Sequence, residues 1–342
     1  MTELEELIRA EIAQTGPMPV SRYMELCLTH PEHGYYVKRD PFGVEGDFTT
    51  APEISQMFGE LIGLWLLQVW QDQGCPAPFR LVELGPGRGT LMADALRAAS
   101  MVPAFGEAAD LWLIEVSPRL RALQFAKLPE AQWADRLEEV PDGPTLLVAN
   151  EFFDALPIRQ FITGPDETTE ILVGCDPTGA LTMGRFEPPL GVDGPIGWTE
   201  VSPAQEPITR EISRRIMDHG GAALVIDYGY RADDRPIGPT LQAVRQHEKV
   251  PPLTAPGDCD LTWLVDFDRL AAQLPAPHVT TQGAFLAAIG IGQRAQALAA
   301  RDPGQADSIA AALHRLTAPD QMGTLFKVLA AVPETAPPPP GF

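Results

Sequence analysis

Four apolar runs, each followed by a helical pattern or a turn, constrain this chain more than anything else in it. FRLVELG (79–85), DLWLIEVS (110–117), PTLLVANEF (144–152) and GAALVIDYG (221–229) read as strands apolar almost throughout. Strands covered on both faces look like this, whereas half-exposed strands alternate. Helical spacing fills the gaps in GTLMADALRAAS, in PRLRALQFAKL with Pro118 at its first position, and in PITREISRRIMDHG. Alternating strands and helices predict a doubly wound α/β sheet, which the late run GTLFKVLAAV closes. The 342 residues suit one large domain with insertions, and 45% hydrophobic content supplies its core.

The remaining segments are predicted around that sheet. Residues 1–60 carry two helices, broken at GPMP, and then a turn-rich loop placed to fold over a ligand. Thr50 or Ser55 caps the next helix, QMFGELIGLWLLQVWQDQG, which is too short to cross a bilayer. Residues 61–155 hold the first half of the sheet. Residues 156–205, with RQFIT, TEILVG and ALTMGRF, read as an antiparallel insertion. Residues 206–332 complete the sheet and include a turn-rich lid at 231–260. The proline-rich tail, 333–342, reads as disordered.

A formal charge of −21 argues against a nucleic-acid partner, which needs clustered Lys and Arg. It suits a cationic one. Cys27, Cys75, Cys175 and Cys259 form no C-x-x-C pair, so neither a zinc site nor a disulfide framework is indicated. An acidic N-terminus without signal-peptide character leads us to expect a cytoplasmic protein with no membrane insertion.

The first strand runs into LVELGPGRGT. Gly85, Gly87 and Gly89 open a helix there, beside the carboxylate of Glu83. A glycine turn between strand and helix presents backbone N–H groups to a ligand at the sheet's carboxyl edge. Thr90 stands where the dinucleotide fingerprint has its third glycine, and no Gly-Lys-Ser/Thr follows, so neither NAD nor a P-loop nucleotide is matched. An ordinary glycine-rich turn is the plain alternative. The spacing resembles motif I, E-x-G-x-G-x-G, of class I S-adenosylmethionine (SAM) methyltransferases. Glu83 would complement the cationic charges of that ligand, where a diphosphate would be repelled. Glu115 ends the second strand, where an acidic residue can accept from both ribose hydroxyls. Ser117 follows it. Trp133 and Asp135, at the third strand, are candidates for stacking on the adenine and accepting from its amine.

The motifs GDFTTAPEISQMFGELIG, EVSPRLRALQ, NEFFDALPIRQF, IDYGY, PGDCDLTWLVDF and TQGAFL together resemble the MidA-type SAM-dependent methyltransferases over roughly residues 15–330. That family includes a mitochondrial complex I assembly factor regarded as a protein-arginine methyltransferase. The resemblance implies a class I methyltransferase fold, SAM as cofactor, S-adenosylhomocysteine as product, and an arginine acceptor on a complex I subunit. It assigns catalysis to Asn150, Glu151 and Asp154, where two carboxylates could pair with a guanidinium. Asp47 and Thr49 would contact the cofactor or acceptor, while Asp227, Tyr228 and His247 would line a substrate channel. A small-molecule methyltransferase and a catalytically silent assembly chaperone remain alternatives on the same fold. An NAD-dependent oxidoreductase is disfavoured by the glycine spacing, and a homodimer stays open.

Overall fold

The computed structural model describes residues 2–38, 50–185 and 196–342. The chain divides into two compact units. One comprises Met1–Phe48, Ala155–Pro207 and Asp233–Leu264; the other comprises Thr49–Asp154, Ile208–Ala232 and Val265–Phe342.

The second unit carries the doubly wound sheet. Its strands are β1 (Phe79–Leu84), β2 (Ala109–Ile114), β3 (Gln132–Ala134), β4 (Thr145–Asn150), β5 (Gly221–Tyr230), β6 (Pro277–Thr281) and β7 (Phe326–Ala331). They lie side by side in the order β6-β7-β5-β4-β1-β2-β3. Strands β3, β2, β1, β4 and β5 run parallel, and β7 is antiparallel to both of its neighbours. The predicted strands therefore form where the apolar runs placed them.

Register decides what this sheet can do. Leu84 pairs with Ile114 and Ala149, while Asn150 pairs with Ile226. The carboxyl ends of β1, β2 and β4 thus finish level, and β5 passes them and runs on to Tyr230. The glycine turn, Glu115 and Glu151 follow those three strands along a single edge, with Asp227 of β5 beside them. Open α/β sheets bind ligands at such an edge.

Helix α1 (Gln56–Asp72) covers one face, capped by the hydroxyl of Ser55, which accepts from Met57 N at 3.2 Å. It buries Phe58, Leu61, Trp65 and Trp70 against a core that includes Phe79, Leu113, Val148 and Leu224. Its Gly63 meets α2 (Thr90–Ala99) so closely that a Cβ would lie 2.2 Å from Ala95 O. Any larger residue there would force the helices apart, at roughly 1–3 kcal/mol. Helix α3 (Pro118–Lys127) follows β2 with Pro118 in its first turn, as the sequence indicates.

Two expectations are corrected. The 231–260 segment, read as a turn-rich lid of the sheet's second half, carries paired strands and belongs largely to the first unit: Gln242–Arg245 pairs antiparallel with Glu248–Val250 and with Asp260–Thr262. Runs as short as QAVR and EKV carry too little apolar alternation to announce a strand. The tail is not disordered either. Pro339 is buried, Trp65 Nε1 donates to Pro340 O at 3.0 Å, and the Phe342 ring lies 5.4 Å from that of Phe285. A proline-rich composition reveals nothing of a buried indole waiting for a carbonyl.

The first unit joins the helices Glu3–Thr15 and Val20–Thr29 to the antiparallel strands of the insertion. Thr168–Cys175 pairs with Met18–Pro19, with Arg159–Thr163 and with Leu181–Gly184.

Candidate active site

The glycine turn is built from left-handed backbone. Gly85, Gly87 and Gly89 have φ of 61°, 53° and 73°, a region that side chains rarely adopt. Gly89 caps α2, and its N–H donates to Pro86 O at 2.7 Å. A Cβ on Gly85 would meet Phe152 Cδ2 at 2.9 Å, so this glycine is required by the turn after β4 as well as by its own dihedral.

Around the turn stand two buried carboxylates. Glu83 is 3% exposed, and its Oε2 has no hydrogen-bond partner among the described residues. Burial pushes its carboxyl up to about 8, against the pull of the Lys127 ammonium. Glu115 is better supplied. Its Oε1 accepts from Ser117 N at 2.8 Å and its Oε2 from Gln124 Nε2 at 3.3 Å. Burial raises its carboxyl, while those two donors hold it down.

The other residues predicted near the cofactor hold defined positions. Ser117 caps α3, accepting from Leu120 N. Trp133 is half-buried and donates its indole N–H to Gln124 Oε1 at 2.8 Å. Asp135 is exposed and salt-bridged to Arg121 at 2.6 Å. Asp47 and Thr49 lie outside the described residues.

At the end of β4 the chain turns sharply. Glu151 has φ of 51°, a left-handed conformation that costs a non-glycine residue roughly 1–2 kcal/mol. Its N–H donates to Ile226 O, and its Oε1 accepts from Ala51 N and from Asn150 Nδ2, each at 3.1 Å. Asn150 is buried, yet its Oδ1 has no partner among the described residues. Asp154 is buried a few residues on. The structure thus brings Asn150, Glu151 and Asp154 together in one turn beside the glycines.

Asp227 plays a different part from the channel-lining one expected of it. It is fully buried, and its Oδ2 accepts from the N–H groups of Phe152, Phe153 and Asp154 at 3.2, 2.8 and 3.1 Å. Its Oδ1 accepts from Tyr228 N at 2.9 Å. Burial drives this carboxyl upward and the charge of Glu151 adds to the rise, while the backbone donors oppose both. Asp227 is therefore an anchor for the Glu151 turn. Tyr228 is half-buried, its ring 4.0 Å from that of Phe326. His247 is exposed, at the hairpin turn in the other unit.

Sequence reasoning passed over three contributors, Glu53, Lys127 and Gln124. Glu53 accepts from Thr90 Oγ1 at 2.6 Å, and Lys127 donates to the same hydroxyl at 2.6 Å, tying the PEIS segment to the start of α2. Gln124 is fully buried and bonded to three separate segments. A polar residue on an amphipathic helix gives no sign of such a role.

An open α/β sheet, a glycine turn flanked by buried carboxylates and a carboxylate turn on the next strand define a class I SAM-dependent methyltransferase. Residues 61–284 match the family model described as "putative S-adenosyl-L-methionine-dependent methyltransferase", and the chain belongs to that family. It is 37% identical to the Drosophila melanogaster protein named protein arginine methyltransferase NDUFAF7 homolog, mitochondrial, over 96% of this chain and 85% of that one. It is 34% identical to the human protein arginine methyltransferase NDUFAF7, mitochondrial, over 94% of this chain and 82% of the relative. A Burkholderia thailandensis protein crystallised with S-adenosylhomocysteine superposes with a TM-score of 0.84 at 28% identity, covering 99% of this chain and 93% of that one.

The residues present fit such a cofactor. The unpartnered Glu83 oxygen and the acidic surroundings suit a ligand bearing ammonium and sulfonium charges, and the bare glycine backbone admits it closely. When bound, SAM supplies a methyl group activated by the positive sulfur.

Proposed function

We propose that this enzyme N-methylates an arginine of a protein substrate, with the cofactor held by Gly85, Gly87, Gly89, Glu83 and Glu115. Asn150, Glu151 and Asp154 would receive the acceptor. Both relatives described above carry the name protein arginine methyltransferase. By the family resemblance, we take the substrate to be a respiratory complex I subunit.

One observation supports this reading more than any other. A strained Glu151 and a buried Asn150 Oδ1 with no partner among the described residues stand side by side at the carboxyl end of the strand next to the glycine strand. Strain of this kind persists where surrounding structure enforces it, and it concentrates at functional sites. An orphaned buried acceptor calls for a donor, and a guanidinium offers five. A carboxylate beside it pairs with the cation and localises its charge away from the attacking nitrogen. Methylation leaves that nitrogen with one proton too many, and we assign its acceptance to Glu151. The formal charge of −21 favours approach of a cationic segment.

The test is incubation with radiolabelled SAM and a lysate from cells lacking this protein, followed by mass spectrometry of any labelled band. Label on an arginine, lost with Glu151→Ala, is the expected result. Label confined to small molecules would overturn the protein-substrate reading.

A further inference from the structure

Gln124 lies in α3 with none of its surface exposed. Burying an amide is costly unless its bonds are satisfied, and this one is satisfied in an unusual way. Its Nε2 donates to Gly87 O at 2.7 Å and lies 3.3 Å from Glu115 Oε2, while its Oε1 accepts from the Trp133 indole at 2.8 Å. Two acceptors on one side and a donor on the other fix which way the amide points. The same side chain also packs beneath the turn: its Cγ is 3.5 Å from where a Cβ on Gly89 would stand.

One neutral group therefore ties together the glycine turn, the carboxyl end of β2 and the tryptophan of β3. No other side chain of this size supplies that pattern. A glutamate could accept from the indole, but it has no donor for Gly87 O and would repel Glu115. A methionine fills the space and leaves the Gly87 carbonyl and the Trp133 N–H without their partner. Glu115 would lose the one side-chain amide that helps hold its carboxylate in place.

We propose that Gln124 is a positioning residue of the cofactor site, locking the Gly87 carbonyl and the Glu115 carboxylate into one arrangement before the cofactor arrives. The proposal rests on the reading that the glycine turn and Glu115 hold the cofactor. Ordering these groups in advance removes a cost that binding would otherwise meet, so its effect falls on affinity.

The experiment is calorimetric titration of the full chain with S-adenosylhomocysteine, for the wild type and for Gln124→Met and Gln124→Glu. Thermal unfolding and the indole N–H resonance of Trp133, assigned by its loss in Trp133→Phe, are recorded alongside. Each variant leaves a buried group unpaired in the site, so affinity should fall roughly 10- to 100-fold. The Trp133 resonance should move in Gln124→Met. A purely structural role would lower the unfolding temperature without changing the affinity of the folded fraction. Affinity within threefold of wild type in either folded variant overturns the proposal, and should Gln124→Met fail to fold, Gln124→Glu decides alone. A wild type that binds no S-adenosylhomocysteine would instead overturn the cofactor reading beneath it.

Discussion

Asp227 Oδ2 and the backbone N–H of Phe153 meet at 2.8 Å, with the N–H groups of Phe152 and Asp154 converging on the same oxygen. Because β4 and β5 run parallel with Asn150 opposite Ile226, the next residue of β5 holds the turn that leaves β4. That turn presents Glu151.

Replacing Asp227 by Asn would set an amide N–H₂ against backbone donors on one side or the other. We expect Asp227→Asn to cost about 1–3 kcal/mol of stability through the unmatched groups. Misplacing Glu151 should slow methyl transfer by roughly 100-fold. S-adenosylhomocysteine affinity should fall less than methyl transfer does, since the Asp227 hydrogen bonds among the described residues go to the 152–154 turn and to Tyr228 and not to the glycine turn itself. Denaturant unfolding, labelled-methyl transfer and calorimetry separate the three effects.

Glu151→Gly is predicted to stabilise the protein and inactivate it. Glycine tolerates the φ of 51° that strains glutamate, so relief of up to about 1 kcal/mol is expected, less what is lost with the contacts to Ala51 and Asn150. Unfolding curves at or above wild-type stability, with transfer abolished, would mark Glu151 as kept for function. Retained transfer would remove it from the acceptor site.

Glu83 gives a pH signature. Its carboxyl, raised from 4.5 to about 8, binds its proton more tightly in the folded than in the unfolded chain. The resulting stability is complete below the unfolded value near 4.5 and is lost as pH climbs through about 8. Glu83→Gln should abolish this loss, so wild type should weaken relative to the variant between pH 5 and 9 by on the order of 3 kcal/mol. A cationic ligand favours the ionised carboxylate, so cofactor binding near pH 7 should release protons in the wild type and fewer in the variant. Calorimetry in buffers of different ionisation enthalpy measures that difference.

Gly85→Ala combines a left-handed φ of 61° with a Cβ only 2.9 Å from the Phe152 ring. The two effects together should cost about 2–4 kcal/mol. Because they disturb the turn itself, cofactor affinity should fall along with the unfolding temperature. Unchanged affinity would separate the turn from the ligand.

How much of this was written in the chain differs from residue to residue. The alternation of apolar runs with helices placed the sheet, and Gly85, Gly87 and Gly89 announced a tight turn, which the structure builds from left-handed backbone that glycine accepts cheaply. Pro118 announced the start of α3 through local geometry, whereas Ser117, expected at the cofactor, turned out to cap that helix. Asp227 and Gln124 were not legible in these roles. Both act on backbone or side chains distant in sequence, and a carboxylate or amide at the end of a strand or on a helix looks the same whether it faces a ligand or a neighbouring turn. The hairpins of 242–262 and the docked tail stayed hidden for a related reason: their order comes from packing partners that composition does not encode.

The account turns on a methyl-donor site at the carboxyl edge of β1, β2 and β4. The most direct measurement is a crystal structure of the full chain with S-adenosylhomocysteine. We predict ligand density against the 85–89 turn and the Glu115 carboxylate, on the side of the sheet edge where Asn150 and Glu151 stand. Density at another place, or an empty edge at saturating ligand, would contradict it.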